Sequence, residues 1–366
     1  MRITLLGAGH IGQSIARLLA GSSDYELTVL DRDAAALARL KALPLRTRVA
    51  ETGDPAVLLR ALHGQQVVVN ALPYTMAITA SRAAREAGCH YFDLTEDVAA
   101  TQAIRRLAAD APTAFMPQCG LAPGFIGIVA HHLAQGFQEL QEVKMRVGAL
   151  PAFPTNALKY NLTWSVDGLI NEYCHPCEAI HEGRRIDALP LEGLEHFSLD
   201  GVEYEAFNTS GGLGTLCDTL AGRVQTLDYK SVRYPGHHAL MKVLLEELQL
   251  KHDTRTLTDI LRRAVPATMQ DVVLVFVTVS GLRDGVLLQE VFARKIFAER
   301  GGDGVPPQSA IQITTAAGIC AAVDLFREGA LPPRGFIRQE QVPLPAFLAN
   351  RFGQAYQQSR QVQSIG

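Results

Sequence analysis

The first 120 residues alternate between short apolar runs and longer stretches whose apolar positions fall three and four apart. Ile3-Thr4-Leu5-Leu6 reads as a buried strand, and residues 12–19 follow with helical spacing. Leu27-Thr28-Val29-Leu30 predicts a second strand. Residues 34–43, rich in Ala and Leu, predict a helix stopped by Pro44, and residues 48–50 a short third strand. Asp54 and Pro55 are the N-cap and first position of a helix over 55–62. Val67-Val68-Val69 is an uninterrupted β-branched run, suited to a strand covered on both faces. A helix over 78–87 ends at Gly88. A strand over 90–93, a helix over 101–110 and a strand over 113–116 complete the series. The alternation predicts an α/β fold: an N-terminal, doubly wound parallel sheet of the Rossmann type.

The texture changes after Gly120. Residues 121–135 carry Pro123-Gly124 and then a helical pattern, and from Val143 the chain is strand-rich. Strands are predicted over 143–147, 159–164, 204–208 and 225–233. Two more, 272–280 and 286–298, flank Arg283-Asp284-Gly285, and an Asp-Gly pair between such runs predicts a hairpin. Residues 311–328 return to helical spacing, ended by Gly329 and Pro332-Pro333. The expected organisation is a dinucleotide-binding domain over 1–120, completed by 306–340. A second α+β domain over 121–305, built on a mixed or antiparallel sheet, would bind substrate and mediate oligomerisation.

Composition narrows the function classes. A chain of 366 residues suits two domains, and 48% apolar with 19% charged residues suits a folded enzyme. The net charge of −3, with no basic run longer than a pair, argues against a nucleic-acid or anionic-membrane partner. Met1-Arg2-Ile3 leads straight into a strand with no leader pattern, and the longest fully apolar run, residues 272–277, is too short to span a bilayer, so a cytoplasmic protein is expected. The six cysteines are scattered apart from Cys174-His175-Pro176-Cys177. No second ligand pair matches that motif, so neither a metal site nor a disulfide framework is expected.

Gly7-Ala8-Gly9-His10-Ile11-Gly12 is a G-x-G-x-x-G motif between a strand and a helix, the context in which it cradles a dinucleotide pyrophosphate. Gly7 permits the tight turn, Gly9 the close approach of backbone amides, and Gly12 the packing of helix on strand. Asp31, about 20 residues on, suits a ribose diol and disfavours a 2′-phosphate, which favours NAD over NADP; the adjacent Arg32 weakens that preference. Asn70-Ala71-Leu72-Pro73, at the carboxyl end of the fourth strand, is expected beside the nicotinamide ribose.

These motifs, with His90-Tyr91-Phe92-Asp93-Leu94 and Gly120-Leu121-Ala122-Pro123-Gly124, resemble the saccharopine dehydrogenase/reductase superfamily. Leu169-Ile170-Asn171-Glu172-Tyr173, Thr209-Ser210-Gly211-Gly212 and Arg233-Tyr234-Pro235-Gly236-His237, among others, resemble the lysine 6-dehydrogenases within it. The resemblance runs from residue 1 to about residue 340. It implies NAD-dependent oxidation of the ε-amine of L-lysine, or of a related diamine, to 2-aminoadipate 6-semialdehyde, which cyclises to a piperideine carboxylate. It also implies a homodimer or higher homo-oligomer.

That chemistry requires a base to deprotonate the ammonium, a cation for the α-carboxylate and a carboxylate for the α-ammonium. Arg233 is the candidate cation, its plain alternative being a surface arginine. His237, Asp93 and Glu96 are the candidate bases, with Asp97 read as a helix cap. Tyr160 and Trp164, alternating on the expected strand, would wall the lysine stem or simply pack the core. Thr209 and Ser210 offer hydroxyls to a carboxylate, or form a turn. Lys144, Lys159 and Lys230 are weaker proton carriers. Two rival readings are a saccharopine- or carboxynorspermidine-type enzyme, whose larger substrate needs two or more arginines, and a non-catalytic NAD-sensing protein.

Overall fold

The computed structural model describes residues 1–302 and 306–357. The chain divides into two compact units, the first made of Met1–Ile128 and Gln312–Ala355 and the second of Val129–Ile311.

The first unit is built on parallel strands β1 (Arg2–Leu6), β2 (Glu26–Asp31), β3 (Arg46–Val49), β4 (Val67–Asn70), β5 (His90–Asp93) and β6 (Ala114–Met116). A two-residue strand, Gly335–Phe336, joins β6, and the order across the sheet is Gly335–Phe336, β6, β5, β4, β1, β2, β3. The apolar runs read from the sequence are the sheet's interior: Leu5, Val29, Val68 and Phe92 are sealed from solvent. Strand order reverses between β1 and β4, which opens a crevice at their carboxyl ends where such sheets bind ligands. Asp54 caps the helix Pro55–Leu62 and Asp97 caps Val98–Ala108 through the amide of Ala100. The helix expected over 34–43 runs only over Ala34–Ala38.

One buried carboxylate gathers the segment 312–355 and links it to Tyr25. Asp324 accepts hydrogen bonds from Tyr25 (2.5 Å), Arg327 (3.0 Å), Asn350 (2.9 Å) and Arg351 (2.7 Å). Asp324 lies on the helix Ala310–Arg327, which is long and apolar enough to cross a bilayer, yet 72% of it is buried inside the protein.

The second unit carries β7 (Glu139–Pro151), β8 (Cys177–His181), β9 (Arg184–Ala188), β10 (Glu195–Leu199), β11 (Val202–Asn208), β12 (Val224–Arg233), β13 (Asp271–Arg283) and β14 (Val286–Phe297). The sheet is mixed, in the order β10-β11-β12-β7-β13-β14, with β8 joining β12 and β9; β12 and β7 run parallel. Asp284 and Gly285 turn β13 into β14 with φ of +53° and +76°, the double left-handed geometry an Asp-Gly pair tolerates. Beyond a single bridge of Leu162 to Ala267, the expected strand over 159–164 does not form. Lys159 takes φ +49°, and the carbonyl of Tyr160 is held by the side chain of Asn156 at 2.6 Å instead of a neighbouring strand. Tyr160 and Trp164 therefore do not alternate on a pleat, although both pack in one core cluster with Tyr173, Phe207 and Met241.

Candidate functional site

At the end of β1 the chain turns through Gly7, with φ +99°, and a Cβ there would lie 2.9 Å from the carbonyl oxygen of Ala71. The turn after β1 and the loop after β4 thus approach as closely as glycine allows. A Cβ on Gly12 would stand 2.1 Å from the Gly7 oxygen, so the helix His10–Ala20 sits directly on the turn. A Cβ on Gly9 would meet nothing within 4 Å. The three glycines therefore play separate parts: two close the turn, and the third leaves open space before the first helical amides. Gly9 caps the helix without a side chain, and no acidic residue occupies the first turn. The unsatisfied amides of that turn and the positive end of the helix dipole are left for an anion. His10 is exposed and Ile11 half-buried beside this opening. The cradle fits a dinucleotide pyrophosphate.

Asp31, at the end of β2, has one oxygen on the amide of Ala8 (2.6 Å) and the other on the amide of Asp33 (2.8 Å). Its carboxylate holds the glycine turn in shape and keeps lone pairs for a diol. Arg32 is exposed. In the loop after β4, Asn70 points inward: Oδ1 accepts from the amide of Leu72 at 3.2 Å and Nδ2 donates to Tyr91 at 3.0 Å. Ala71 and Leu72 are half-buried and Pro73 is exposed.

Asp93, at the end of β5, is fully buried. Oδ1 accepts from the amides of Thr95 and Gln118, each at 3.0 Å, and Oδ2 from the Tyr91 hydroxyl at 2.9 Å. Burial pushes its carboxyl up to about 6, against the pull of those donors. Tyr91, bonded to both Asn70 and Asp93, joins the ends of β4 and β5, while Gln118 ties in the end of β6 with φ +66°. Gln339 closes the floor, its Nε2 donating to the carbonyl of Pro117 at 2.7 Å and lying 3.2 Å from the Cys119 thiol. Glu96 differs from Asp93 in keeping part of its surface open. Burial first, then the neighbouring charges of Asp97 and Asp93, push it up to about 7.

In the second unit, Arg233 ends β12 and is only 3% exposed. Its Nε donates to the Tyr173 hydroxyl (2.9 Å) and Nη1 to the carbonyl of Val232 (2.7 Å). The guanidinium lies over the ring of Tyr160 at 5.1 Å and that of Tyr173 at 5.8 Å. No carboxylate among the described residues forms an ion pair with it. Glu205, opposite Arg233 on β11, is also buried, and its oxygens accept from the amides of Gly236 (2.9 Å) and His238 (2.6 Å). It fixes the turn, with Gly236 at φ +101°, that leads into the helix His237–Lys242.

His237 is 1% exposed; Nδ1 faces the carbonyl of Leu158 at 2.9 Å and Nε2 the Tyr173 hydroxyl at 3.1 Å. Burial and the Arg233 charge push its pKa down to about 3, so the near-neutral imidazole expected from the sequence is not present. Thr209 is bonded through its hydroxyl to Ser231 at 2.8 Å, and the amide of Ser210 to the carbonyl of Glu172 at 2.9 Å. Lys230 and Arg146 are consumed by Glu195 and Asp228, Lys144 pairs with Glu142, and Lys159 donates to the carbonyl of Pro235 at 2.8 Å. Cys174 and Cys177 are free thiols, and no cluster of three metal-ligating side chains occurs among the described residues.

Sequence reasoning missed Tyr91, Gln118, Tyr173, Glu205 and Gln339. Tyr91 and Tyr173 stood inside the motifs named above, so the resemblance carried a signal for them. Gln339 had none, since only folding brings it to β6.

Two family models match the chain. The saccharopine dehydrogenase NADP binding domain covers residues 3–116, and the saccharopine dehydrogenase C-terminal domain covers residues 120–352. Among solved structures, the fold is shared with apo saccharopine dehydrogenase (L-Glu forming) from Saccharomyces cerevisiae. That match has 16% identity, covers 94% of this chain and 96% of that one, and has a TM-score of 0.77. Homospermidine synthase from Legionella pneumophila, solved in complex with NAD, matches at 14% identity over 97% of this chain and 89% of that one, with a TM-score of 0.65. With both domains matched and a cradle fitted to a dinucleotide, this chain belongs to the saccharopine dehydrogenase family and is a nicotinamide-dependent oxidoreductase.

Proposed function

We propose that the protein oxidises the ε-carbon of L-lysine at the expense of NAD, releasing 2-aminoadipate 6-semialdehyde and ammonia. The observation that carries this reading is Arg233, a buried cation that no carboxylate among the described residues meets in a direct ion pair, the buried Glu172 acting on it only at longer range. A charge so placed is costly unless an anion accompanies it, and the α-carboxylate of an amino acid is a fitting anion. Arg146, the other buried arginine of this unit, is already neutralised by two carboxylates. A single guanidinium free of a direct ion pair favours a substrate with one carboxylate over a saccharopine-type substrate with several.

The nicotinamide supplies the hydride acceptor when bound. Hydride leaves only from a carbon bearing a neutral amine, so a base must take a proton from the ε-ammonium, and a second proton as the imine forms. Water then adds to that imine and ammonia departs. Glu96 fits the base: it is partly open and poised near neutrality, and its carboxylate meets its own backbone amide rather than the three donors that commit Asp93. Asp93 is read as a positioning residue, Tyr160 as a wall for the lysine stem, and Asp31 as favouring NAD over NADP. The protein is further read as a cytoplasmic homodimer that meets its copy through the second sheet. In support, Leu287 and Val291, 65% and 54% exposed, leave an apolar strip on the edge strand β14.

The test is absorbance of NADH from purified protein with NAD and L-lysine, with an aldehyde reagent trapping the product. Flat traces with lysine, ornithine and simple diamines refute the proposal. Oxidation of NADH or NADPH on mixing lysine with a 2-oxoacid would establish the saccharopine-type alternative.

A further inference from the structure

His237 was expected to serve as a base, and its surroundings argue for a different part. The donors and acceptors around it allow only one direction of hydrogen bonding. The carbonyl of Leu158 can only accept, so His237 Nδ1 carries the ring hydrogen. The neutral ring then presents a lone pair at Nε2, which accepts from the Tyr173 hydroxyl. With its hydrogen spent, the Tyr173 oxygen accepts from Arg233 Nε. The chain Arg233 to Tyr173 to His237 to the Leu158 carbonyl is satisfied at every step, and a guanidinium that only donates sits at its head.

We infer that Tyr173 and His237 are positioning residues that aim Arg233 at a carboxylate, and that His237 transfers no proton. This rests on the reading of Arg233 as the carboxylate-binding group. Of the five guanidinium N–H groups, Nε–H is held by Tyr173 and one Nη1–H by Val232. The rings of Tyr160 and Tyr173 keep the guanidinium plane from swinging aside. The hydrogens left over lie on Nη1 and Nη2, the end-on edge that grips a carboxylate with two parallel bonds. The charged and titratable neighbours of His237 fit this role: Arg233 and His238 disfavour a proton on it, Tyr173 needs its lone pair, and Tyr160 packs its ring against the imidazole at 5.4 Å. The direction is set by the backbone at one end and by an obligate donor at the other, so the relay selects for substrates bearing a carboxylate.

The probe is L-norleucine, which keeps lysine's α-carboxylate and α-amine and lacks the oxidisable ε-amine; hexylamine, without a carboxylate, is the control. Titration calorimetry of Tyr173→Phe should show norleucine binding weakened about tenfold, with hexylamine and NADH binding unchanged. His237→Gln, whose side-chain oxygen can still accept from Tyr173, should stay within about threefold of wild type in norleucine affinity and in kcat on lysine. His237→Leu should lose norleucine affinity as Tyr173→Phe does. Nitrogen spectra of the His237 imidazole should show one protonated nitrogen, unchanged from mildly acid to mildly alkaline pH. A His237→Gln kcat reduced about a hundredfold at unchanged KM, or an imidazole that titrates near neutrality, overturns the inference. If wild-type protein leaves lysine unoxidised, the proposed function falls by itself, and the norleucine and imidazole measurements still judge the relay.

Discussion

Replacing Asp93 by asparagine separates a structural carboxylate from a catalytic one. In Asp93→Asn the side-chain oxygen can keep both backbone donors, Thr95 and Gln118, on one atom, as Oδ1 does now. The new amide hydrogens can donate to Tyr91, whose own hydrogen turns to the carbonyl of Ala77 at 3.2 Å. The network survives with one bond reversed, and the buried charge is gone. Burial raises the carboxyl from 3.8 to about 6, a gap worth about 3 kcal/mol in favour of the neutral side chain. The sign follows from linkage. A carboxyl raised in the folded state helps the fold below its unfolded pKa and loses that help as pH climbs from about 4 to about 6. Asp93→Asn should therefore equal wild type at the acid end and gain up to about 3 kcal/mol above about pH 6. Asp93→Ala leaves two buried amides without acceptors, at about 1–3 kcal/mol each, and so should be about 2–6 kcal/mol less stable than Asp93→Asn. Urea unfolding followed by release of bound NADH reads the first unit. The chain's one tryptophan, Trp164, lies in the second unit and serves as an internal control. Turnover completes the assay: kcat of Asp93→Asn should stay within about threefold of wild type, whereas losing a general base costs about 10²–10⁴. A hundredfold fall in kcat at undiminished NADH affinity would refute the structural reading.

Glu96→Gln should lower kcat about 10²–10⁴-fold. Wild-type kcat should rise with pH through about 7 as this carboxyl ionises, and a profile with no acid limb near that value contradicts its role as base. Gly9→Ala should melt like wild type, since its Cβ meets nothing, yet bind NADH at least about tenfold more weakly. Gly12→Ala must push the Gly7 carbonyl aside and should cost both binding and about 2 kcal/mol or more of stability; equal behaviour of the two variants in calorimetry would contradict the division of labour between these glycines. Asp31→Ser should weaken NAD more than NADP in equilibrium titrations, while both suffer from the freed Ala8 amide; equal losses would leave Asp31 only its part in holding the turn.

The first unit was largely legible in the sequence, for a simple reason. A parallel sheet covered on both faces needs uninterrupted apolar strands, so Val67-Val68-Val69 and its fellows announce themselves locally, and the glycine motif marks the one turn where side chains do not fit. The Asp284-Gly285 hairpin was visible on the same grounds, since φ above zero at two successive positions selects few residues. The strand expected over 159–164 shrank to the one bridge of Leu162 to Ala267 because β-rich composition cannot tell how far a pairing partner extends, and here Asn156 takes the Tyr160 carbonyl. What the tertiary structure alone decided is which polar atoms remain free. Asp93, Glu96, Arg233 and His237 read from the chain as four candidates of similar standing. Folding committed the lone pairs of Asp93 to residues 2 and 25 positions away, and those of His237 to a hydroxyl 64 positions away. It left Glu96 partly open and Arg233 buried with no carboxylate in direct contact. Burial and hydrogen-bond partners come from contacts distant in sequence, so the residues of a site can be named from its motifs, while their chemical roles wait on the fold.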